Sequence, residues 1–507
     1  MTPINTTFLA FVTLACGIVA SAAEPSGRQP NIVFMLSDDQ AWNGLSVAMA
    51  PDAALPASQG FQTPHLERLA AEGMRFSDAY APAPVCSPTR ISLQAGLNPA
   101  RLHWTKAAPR EQGQRLLEPV NIRDIPAELT TIGEILQQAG YVTAHFGKWH
   151  ISGGGPGGHG YDEHDGDTGN EHAYQFTEPK PVDIFGMAER TASFMQRATA
   201  AGRPFYVQLS WNALHAPQNA RKATLAKYGG DNDTLDKRIA TLAITEDLDE
   251  GVGRVLAAID QLGIADNTYV IYMSDNGGGS GKRGGLSGGK GSVWEGGIRV
   301  PLIVRGPGVA AGSWCDVPVV GYDLYPTFCR WAGIPNAKLP AQLDGGSIDG
   351  LLVAEGRGVV RRWRDELVFH FPHYQSEGGP QSAIRAGDFK LIRLYESGVD
   401  QLFNLREDRG EQNDLITQQP AVATELQRRL ESHLLAVSAQ MPTPNPAFDP
   451  GQPPPQRRRG KSEGGQRNGG MQGKPPRDQK RPGQKGGNQN GQSGNSQNGR
   501  EKPGAAA

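Results

Sequence analysis

The chain has 507 residues, with 50 Lys and Arg against 52 Asp and Glu, and a formal net charge of −2. That length allows a large α/β domain plus a smaller one. The four cysteines exclude a disulfide framework as the source of the fold.

Residues 8–20 are a short apolar run, and Ala20-Ser21-Ala22 reads as a cleavage site. The pattern is that of a secretory signal peptide over residues 1–22, although its start carries no Lys or Arg, and export to the periplasm or medium is expected. The run is too short for a membrane span, and no other segment is long and apolar enough for one. A lipoprotein site at Cys16 fits less well, because Thr13-Leu14-Ala15 is a poor lipobox.

Asn31 to Leu36 is a continuous apolar run rich in β-formers, read as a buried parallel strand, and Ser37-Asp38-Asp39 follows at once. Residues 43–62 are rich in Ala and Pro and resemble an insertion. Thr63-Pro64 opens a helix that Gly73 closes, and Thr131 to Glu134 is a capping box for a helix ended by Gly140. Tyr141 to Phe146 is a second strand, followed by Gly147-Lys148-Trp149-His150 and a glycine-rich loop over 153–160. Pro204 to Leu209 is a third, followed by Asn212 to Pro217. Residues 234–262 have helical periodicity. Thr268 to Met273 is a fourth strand, followed by Ser274-Asp275-Asn276, and Val300 to Val304 is a fifth. Strands alternating with helices predict a mainly parallel sheet covered on both faces.

Beyond about residue 335 the pattern changes. Glu366 to Phe371, Ser382 to Arg385, Phe389 to Leu394 and Gln401 to Leu405 are short strands at hairpin spacing, and a helix over 421–437 follows. They predict a small antiparallel sheet with one helix. From Gly451 onward there is no aromatic residue, and 12 Lys and Arg face 3 Asp and Glu, a net of +9. Such a segment cannot bury enough apolar surface to offset its ordering entropy, so disorder is expected. Residues 1–450 therefore carry −11. An acidic body offers no long-range attraction to an anionic substrate, so an anion site must be built from locally placed cations.

Cys86 follows an extended Ala83-Pro84-Val85 lead-in, and Pro88 suits the first turn of a helix with no breaker up to Ala95. The spacing puts Cys86 at a helix N-terminus, where unpaired N–H groups favour an anion, with Arg90 one turn along. Most lone cysteines are simply buried. Asp38, Asp39, Asp275 and Asn276 stand just after two strands and form an all-oxygen set suited to Ca²⁺ or Mg²⁺. A lone Asp-Asp pair is better read as a loop turn or helix cap; both pairs at strand ends, beside the Cys86 motif, favour metal ligation. Lys148 and His150, read as continuing a strand, share one face because the period is two.

Cys86-Ser87-Pro88-Thr89-Arg90, with Gly96 beyond it, resembles the signature of the sulfatase family, within the alkaline phosphatase-like superfamily. The resemblance spans residues 30 to about 440. It implies an alkaline phosphatase-like α/β fold over 30–335 and an antiparallel subdomain over 336–440, ahead of the basic tail over 451–507. It also implies that an enzyme of maturation oxidises Cys86 to formylglycine, whose hydrate attacks the sulfur of a sulfate ester. One Ca²⁺, or Mg²⁺ as second choice, would be held by Asp38, Asp39, Asp275, Asn276 and the formylglycine at Cys86. Lys148 and His150 match the family's contacts to the sulfate and the formylglycine, and Lys290 its second sulfate-binding lysine, while Arg90 is close enough to hold the anion or orient the Cys86 side chain. His215 matches the residue that meets the bridging oxygen, where it could protonate the leaving group. The implied substrate is a sulfated small molecule or polysaccharide; no nucleic-acid partner is expected. His373, Tyr374 and Arg385, from the small sheet, are candidates for substrate contacts, with a structural role equally compatible. The nearest alternative is a phosphomonoester or phosphonate ester hydrolase of the same superfamily, in which Asp-His often stands where this chain has Asp275-Asn276. The other is a non-catalytic binder of sulfated glycans. A disulfide between Cys315 and Cys329 is compatible with the count but not implied by it.

Overall fold

A computed structural model describes residues 28–51, 60–171, 176–177, 180–230, 236–279, 285–375 and 378–451. The expected signal peptide and basic tail lie outside the described residues, apart from Gly451.

Eight strands form the main sheet: β1 (Asn31–Ser37), β2 (Met74–Phe76), β3 (Val142–Gly147), β4 (Glu163–His164), β5 (Phe205–Ser210), β6 (Thr268–Ser274), β7 (Leu302–Arg305) and β8 (Ser313–Cys315). Their spatial order is β8-β2-β7-β6-β1-β5-β3-β4. The four central strands, β6, β1, β5 and β3, run parallel, in register from Ser37 beside Ser274 to Gly147 beside Ser210. The sheet is mixed, because β7 lies antiparallel to both β6 and β2. The apolar run at Val300 to Val304 carried no sign of its direction, since a buried strand reads the same both ways.

Both faces of the sheet are covered, and β1 shows why. Ile32, Phe34 and Leu36 enter one apolar layer, while Val33 and Met35 enter the other. The first layer packs α2 (Cys86–Ala95), α3 (Ile132–Gln138) and α6 (Leu324–Trp331). The second packs α1 (Pro64–Glu72), α4 (Ile184–Ala200) and α5 (Lys237–Gln261). A strand buried on both faces must be apolar throughout, which is the pattern of the sequence. Thr131 forms the capping box with Glu134 that its spacing predicts. Leu45, Val47 and Met49, from the insertion-like stretch, join the second layer.

The smaller sheet comprises β9 (Leu367–Phe371), β10 (Gln381–Ala386), β11 (Phe389–Leu394) and β12 (Val399–Asn404), paired antiparallel in sequence order. Phe369, Ala383 and Ile392 face Tyr80, Val85 and Ile298 of the larger layer system. Val368, Ile384, Leu391 and Leu402 face α7 (Pro420–Ala436) through Leu426 and Leu430. Cys315 and Cys329 are buried free thiols, not a disulfide. Among the described residues, no helix is long and apolar enough to cross a membrane.

Candidate active site

Four adjacent parallel strands end on one edge of the main sheet, and each delivers polar residues there. Asp38 and Asp39 follow β1, Asp275 and Asn276 follow β6, Lys148 follows β3, and the Asn212–His215 turn follows β5. In open α/β sheets this carboxyl edge is where ligands bind. Backbone bonds tie the ends together: Asp275 N donates to Ser37 O at 3.0 Å, and Asp38 N to Ala213 O at 2.9 Å.

The N-terminus of α2 enters from above. Cys86 is its first residue and is 2% exposed. Its sulfur and one oxygen each of Asp38 and Asp275 lie within 4.8 Å of one another. Burial pushes the Cys86 thiol up to about 11, although Lys148 and Lys290 lie near. As a thiol, Cys86 is a poor nucleophile at neutral pH.

Arg90 sits one turn along, as its spacing requires. Its guanidinium is fully engaged below the site, donating to Asp275 Oδ2 from Nε at 3.0 Å and from Nη2 at 2.7 Å, and to Lys148 O from Nη1. It positions the carboxylates instead of presenting itself to an anion. Lys148 Nζ pairs with Asp38 Oδ2 in a fully buried contact. Burial would raise the Asp38 carboxyl, but Lys148 and Arg90 hold it well below the usual carboxylate range. Burial, reinforced by Asp38, pushes Asp275 up to about 6.

Lys290 completes the group from the loop after β6. Its Nζ lies 2.7 Å from Asp39 Oδ1. Burial would lower this amine, but Asp39 holds it well above the ordinary lysine value. Lys290 N donates to Gly278 O, and Gly291 N to Pro84 O, each at 2.8 Å, so the loop spans from the metal-type residues to the Cys86 lead-in. Asp38, Asp39 and Asp275 are matched in formal charge by Arg90, Lys148 and Lys290.

Two buried acceptors at this centre have no hydrogen-bond donor: Asp38 Oδ1 and Asn276 Oδ1. An unpaired buried oxygen is costly, and a cation satisfies it. With Asp39 and Asp275, these oxygens are the donor set of a hard ion. The residues present therefore fit a single Ca²⁺ or Mg²⁺.

His150 does not share a strand face with Lys148. β3 ends at Gly147, whose φ is +91°, and His150 itself has φ 62°. The period of two stops there, and the turn sends Lys148 inward while His150 lines a cleft beside Ser87 and Trp104. Burial, then Lys148 and Arg90, push His150 down to about 2. His215 is partly buried, with Nδ1 2.7 Å from Ala216 O. Burial also lowers His215, against the pull of Asp38.

His373 and Arg385 are buried away from this cleft. His373 lies between Thr105 Oγ1 at 2.8 Å and Glu118 Oε2 at 3.2 Å. Arg385 is held by Asp78 and the Tyr80 hydroxyl, in a buried network with Arg299 and Glu295. Neither is placed to touch a substrate; both support the framework. Tyr374 is likewise buried, and its hydroxyl accepts from Leu116 N at 3.0 Å.

Thr168 was not legible in the sequence. Its hydroxyl donates to Gly147 O at 2.5 Å and accepts from Trp149 N at 3.0 Å, while its carbonyl accepts from His150 N at 2.7 Å. It clamps the Lys148–His150 turn from both sides. At Gly147 a Cβ would lie 2.2 Å from Ser210 O, so glycine is required there for close approach as well as for its positive φ. That requirement is the one sequence signal that the turn existed.

Comparison with known proteins agrees with this geometry. Residues 30–334 match the family model described as Sulfatase, and residues 289–440 match the model of the C-terminal region of N-sulphoglucosamine sulphohydrolase. Arylsulfatase A of Homo sapiens is 29% identical over 425 residues, covering 75% of this chain and 76% of that protein. N-acetylgalactosamine-6-sulfatase of Rattus norvegicus is 32% identical over 393 residues, covering 67% of this chain and 70% of that protein. The crystal structure of Ps i-CgsB in complex with k-i-k-neocarrahexaose superposes with a TM-score of 0.66 at 25% identity, covering 80% of this chain and 93% of that one. The match over most of both layers of the fold, and the cysteine, carboxylates and lysines gathered at one sheet edge, lead to one conclusion: the chain belongs to the sulfatase family and is a sulfatase.

Proposed function

We propose that the protein removes sulfate from a sulfated carbohydrate, using residue 86 in the formylglycine form with one bound Ca²⁺ or Mg²⁺. The observation that carries this reading is the meeting of Cys86 with Asp38 and Asp275 within 4.8 Å, beside two unpaired acceptor oxygens. Carbohydrate is favoured by the relative named for N-acetylgalactosamine 6-sulfate and by the neighbour solved with a neocarrahexaose.

The thiol supports the modified form by its own weakness. Burial pushes the Cys86 pKa up, which disfavours a thiolate nucleophile at this position. An aldehyde hydrate at the same position supplies an oxygen nucleophile instead. An ion held by Asp38, Asp39, Asp275 and Asn276 would supply positive charge to the nucleophile and to the sulfate oxygens.

The chain's own residues do the rest. Lys148 and Lys290 face the centre with ammonium groups and stabilise the charge that gathers on the sulfate oxygens. Arg90 holds Asp275 in place. His215 gives a proton to the bridging oxygen as the alcohol leaves. His150 then takes a proton as sulfate is expelled and the aldehyde returns. Burial holds the His150 ring neutral, and its Nδ1 has no hydrogen-bond partner among the described residues.

Conversion of Cys86 requires a maturation enzyme that reaches the cysteine before α2 is buried. We place the active protein outside the cytoplasm, on the pattern of residues 1–22, which lie outside the described residues. The test is kcat/KM for hexose sulfates against the matching hexose phosphates. Sulfate release in clear excess is the expected result, and a preference for phosphate monoesters would overturn the reading.

A further inference from the structure

The cleft next to His150 has a volume of about 250 Å³ and runs from Ser87, beside the reactive position, out to Arg123 and Asp167. That is close to the lower end of the range of about 300–1,000 Å³ usual for ligand pockets, enough to seat one sugar ring. Part of its charged wall is already engaged. Lys106 Nζ donates to both oxygens of Glu118, at 2.9 and 2.8 Å, and to Tyr374 O. Glu171 accepts from Gly169 N at 2.6 Å.

Arg123 and Asp167 differ. Both are exposed, both line the cleft, and among the described residues neither has a hydrogen-bond or ion-pair partner, the other included. An exposed arginine is ordinary on a protein surface. What sets this one apart is that the two residues before it are tied down while its guanidinium is free. Asn121 Oδ1 accepts from Thr105 N and from the Thr105 hydroxyl, each at 3.0 Å, and Ile122 N donates to His103 O at 2.9 Å. Thr105 is in turn bound by His373. Asp167 precedes Thr168, the residue that clamps the Lys148–His150 turn, so its register to the reactive centre is also set.

We propose that Arg123 and Asp167 form the leaving-group subsite, with Arg123 selecting sugars that carry a second anionic group beside the ester being cleaved. This rests on the sulfatase reading of the adjoining centre. The planar guanidinium matches two oxygens of a carboxylate or a sulfate. Asp167 accepts hydroxyl protons from the same ring. The second anion is either another sulfate on that ring or the carboxylate of a linked uronate, and the two are separated by experiment.

The experiment starts from the monosulfated hexose with the highest kcat/KM in a panel of hexose sulfates. That compound is compared with its disulfated form and with its disaccharide to a uronate, using the full-length enzyme, the Arg123→Ala variant and the Arg123→Lys variant. The native enzyme prefers at least one of the two doubly charged compounds by about tenfold or more, the scale of one hydrogen-bonded charge pair. In Arg123→Ala that ratio falls toward one, and in Arg123→Lys part of it returns. Thermal unfolding midpoints confirm that the variants are folded, as an exposed position predicts. Preference for only one compound identifies the second anion as sulfate or as carboxylate. A native enzyme with no preference, or a preference that survives in Arg123→Ala, overturns the subsite and leaves the sulfatase reading intact. Failure to release sulfate from every hexose sulfate and from an aryl sulfate would instead overturn that reading, and the subsite with it.

Discussion

Arg90 donates to a single oxygen of Asp275 through both Nε and Nη2, at 3.0 and 2.7 Å, leaving Asp275 Oδ1 to accept from Asp39 N at 3.2 Å. One pair thereby locks the helix that carries Cys86 to the strand ends that carry the carboxylates. Both partners are buried, so removing one strands the other. Arg90→Ala is expected to lower folding stability by about 3–5 kcal/mol, the usual cost of breaking a buried pair. Urea denaturation reads this directly; a loss below about 1 kcal/mol would show that the pair is not structural.

His215 is assigned to the departing alcohol, and two measurements bear on it. A proton on the bridging oxygen matters most for a poor leaving group. His215→Ala is expected to damage hydrolysis of a sugar sulfate far more than that of nitrophenyl sulfate. Lys290→Ala is expected to damage both alike, by about 10²-fold or more. Equal losses on the two substrates in His215→Ala would move His215 to sulfate binding and leave His150 as the next acid.

The pH dependence follows from the same residue. Burial holds His215 below the ordinary histidine value of about 6.5. The protonated form, needed for donation, is lost as pH rises through that lowered pKa. The kcat for a sugar sulfate should therefore climb toward acid pH, with its descending limb below about 6.5, while the nitrophenyl ester shows a weaker descent. A sugar-sulfate rate that rises steadily from pH 5 to 8 would contradict the assignment.

Much of this site was legible because chemistry follows punctuation. Asp38, Asp39, Asp275 and Asn276 stand where apolar strand runs stop, and β1 and β6 do stop there. The Cys86 helix starts where its proline spacing puts it. What stayed hidden depends on contacts far apart in the chain. His373 pairs with Glu118 across 255 positions, and Arg385 with Asp78 across 307, and no local pattern marks such partners. A buried arginine with a carboxylate looks, in sequence, like a free one. The turn at Lys148–His150 was hidden for a different reason. Only Gly147 marks the turn in the sequence, and Thr168, which holds it, acts only through tertiary contact.

That clamp is testable. Thr168→Val keeps the shape but removes the hydroxyl that serves Gly147 O and Trp149 N. Leaving buried backbone groups unpaired costs about 1–3 kcal/mol. The variant is expected to unfold earlier and to lose kcat/KM on sugar and aryl sulfates by similar factors, because it displaces His150 and Lys148 together. Restoration by Thr168→Ser is part of the expectation; a serine variant as poor as valine would point to packing instead.

Ion binding should leave its own signature. The oxygen-only set predicts one Ca²⁺ or Mg²⁺ per chain by elemental analysis, and thermal stability that falls on chelation, because an ion bound only to the folded state stabilises it by mass action. Two zinc ions per chain would contradict the donor set.

The most direct test of the account is the chemical state of residue 86 in enzyme that is turning over sulfate esters. Peptide mass spectrometry of the fragment spanning Cys86 to Arg90, with and without a hydrazine probe, distinguishes thiol from aldehyde. The account predicts an aldehyde at residue 86, present in proportion to specific activity across preparations, and no sulfate release from Cys86→Ala. Fully active enzyme carrying only the unmodified thiol would contradict it.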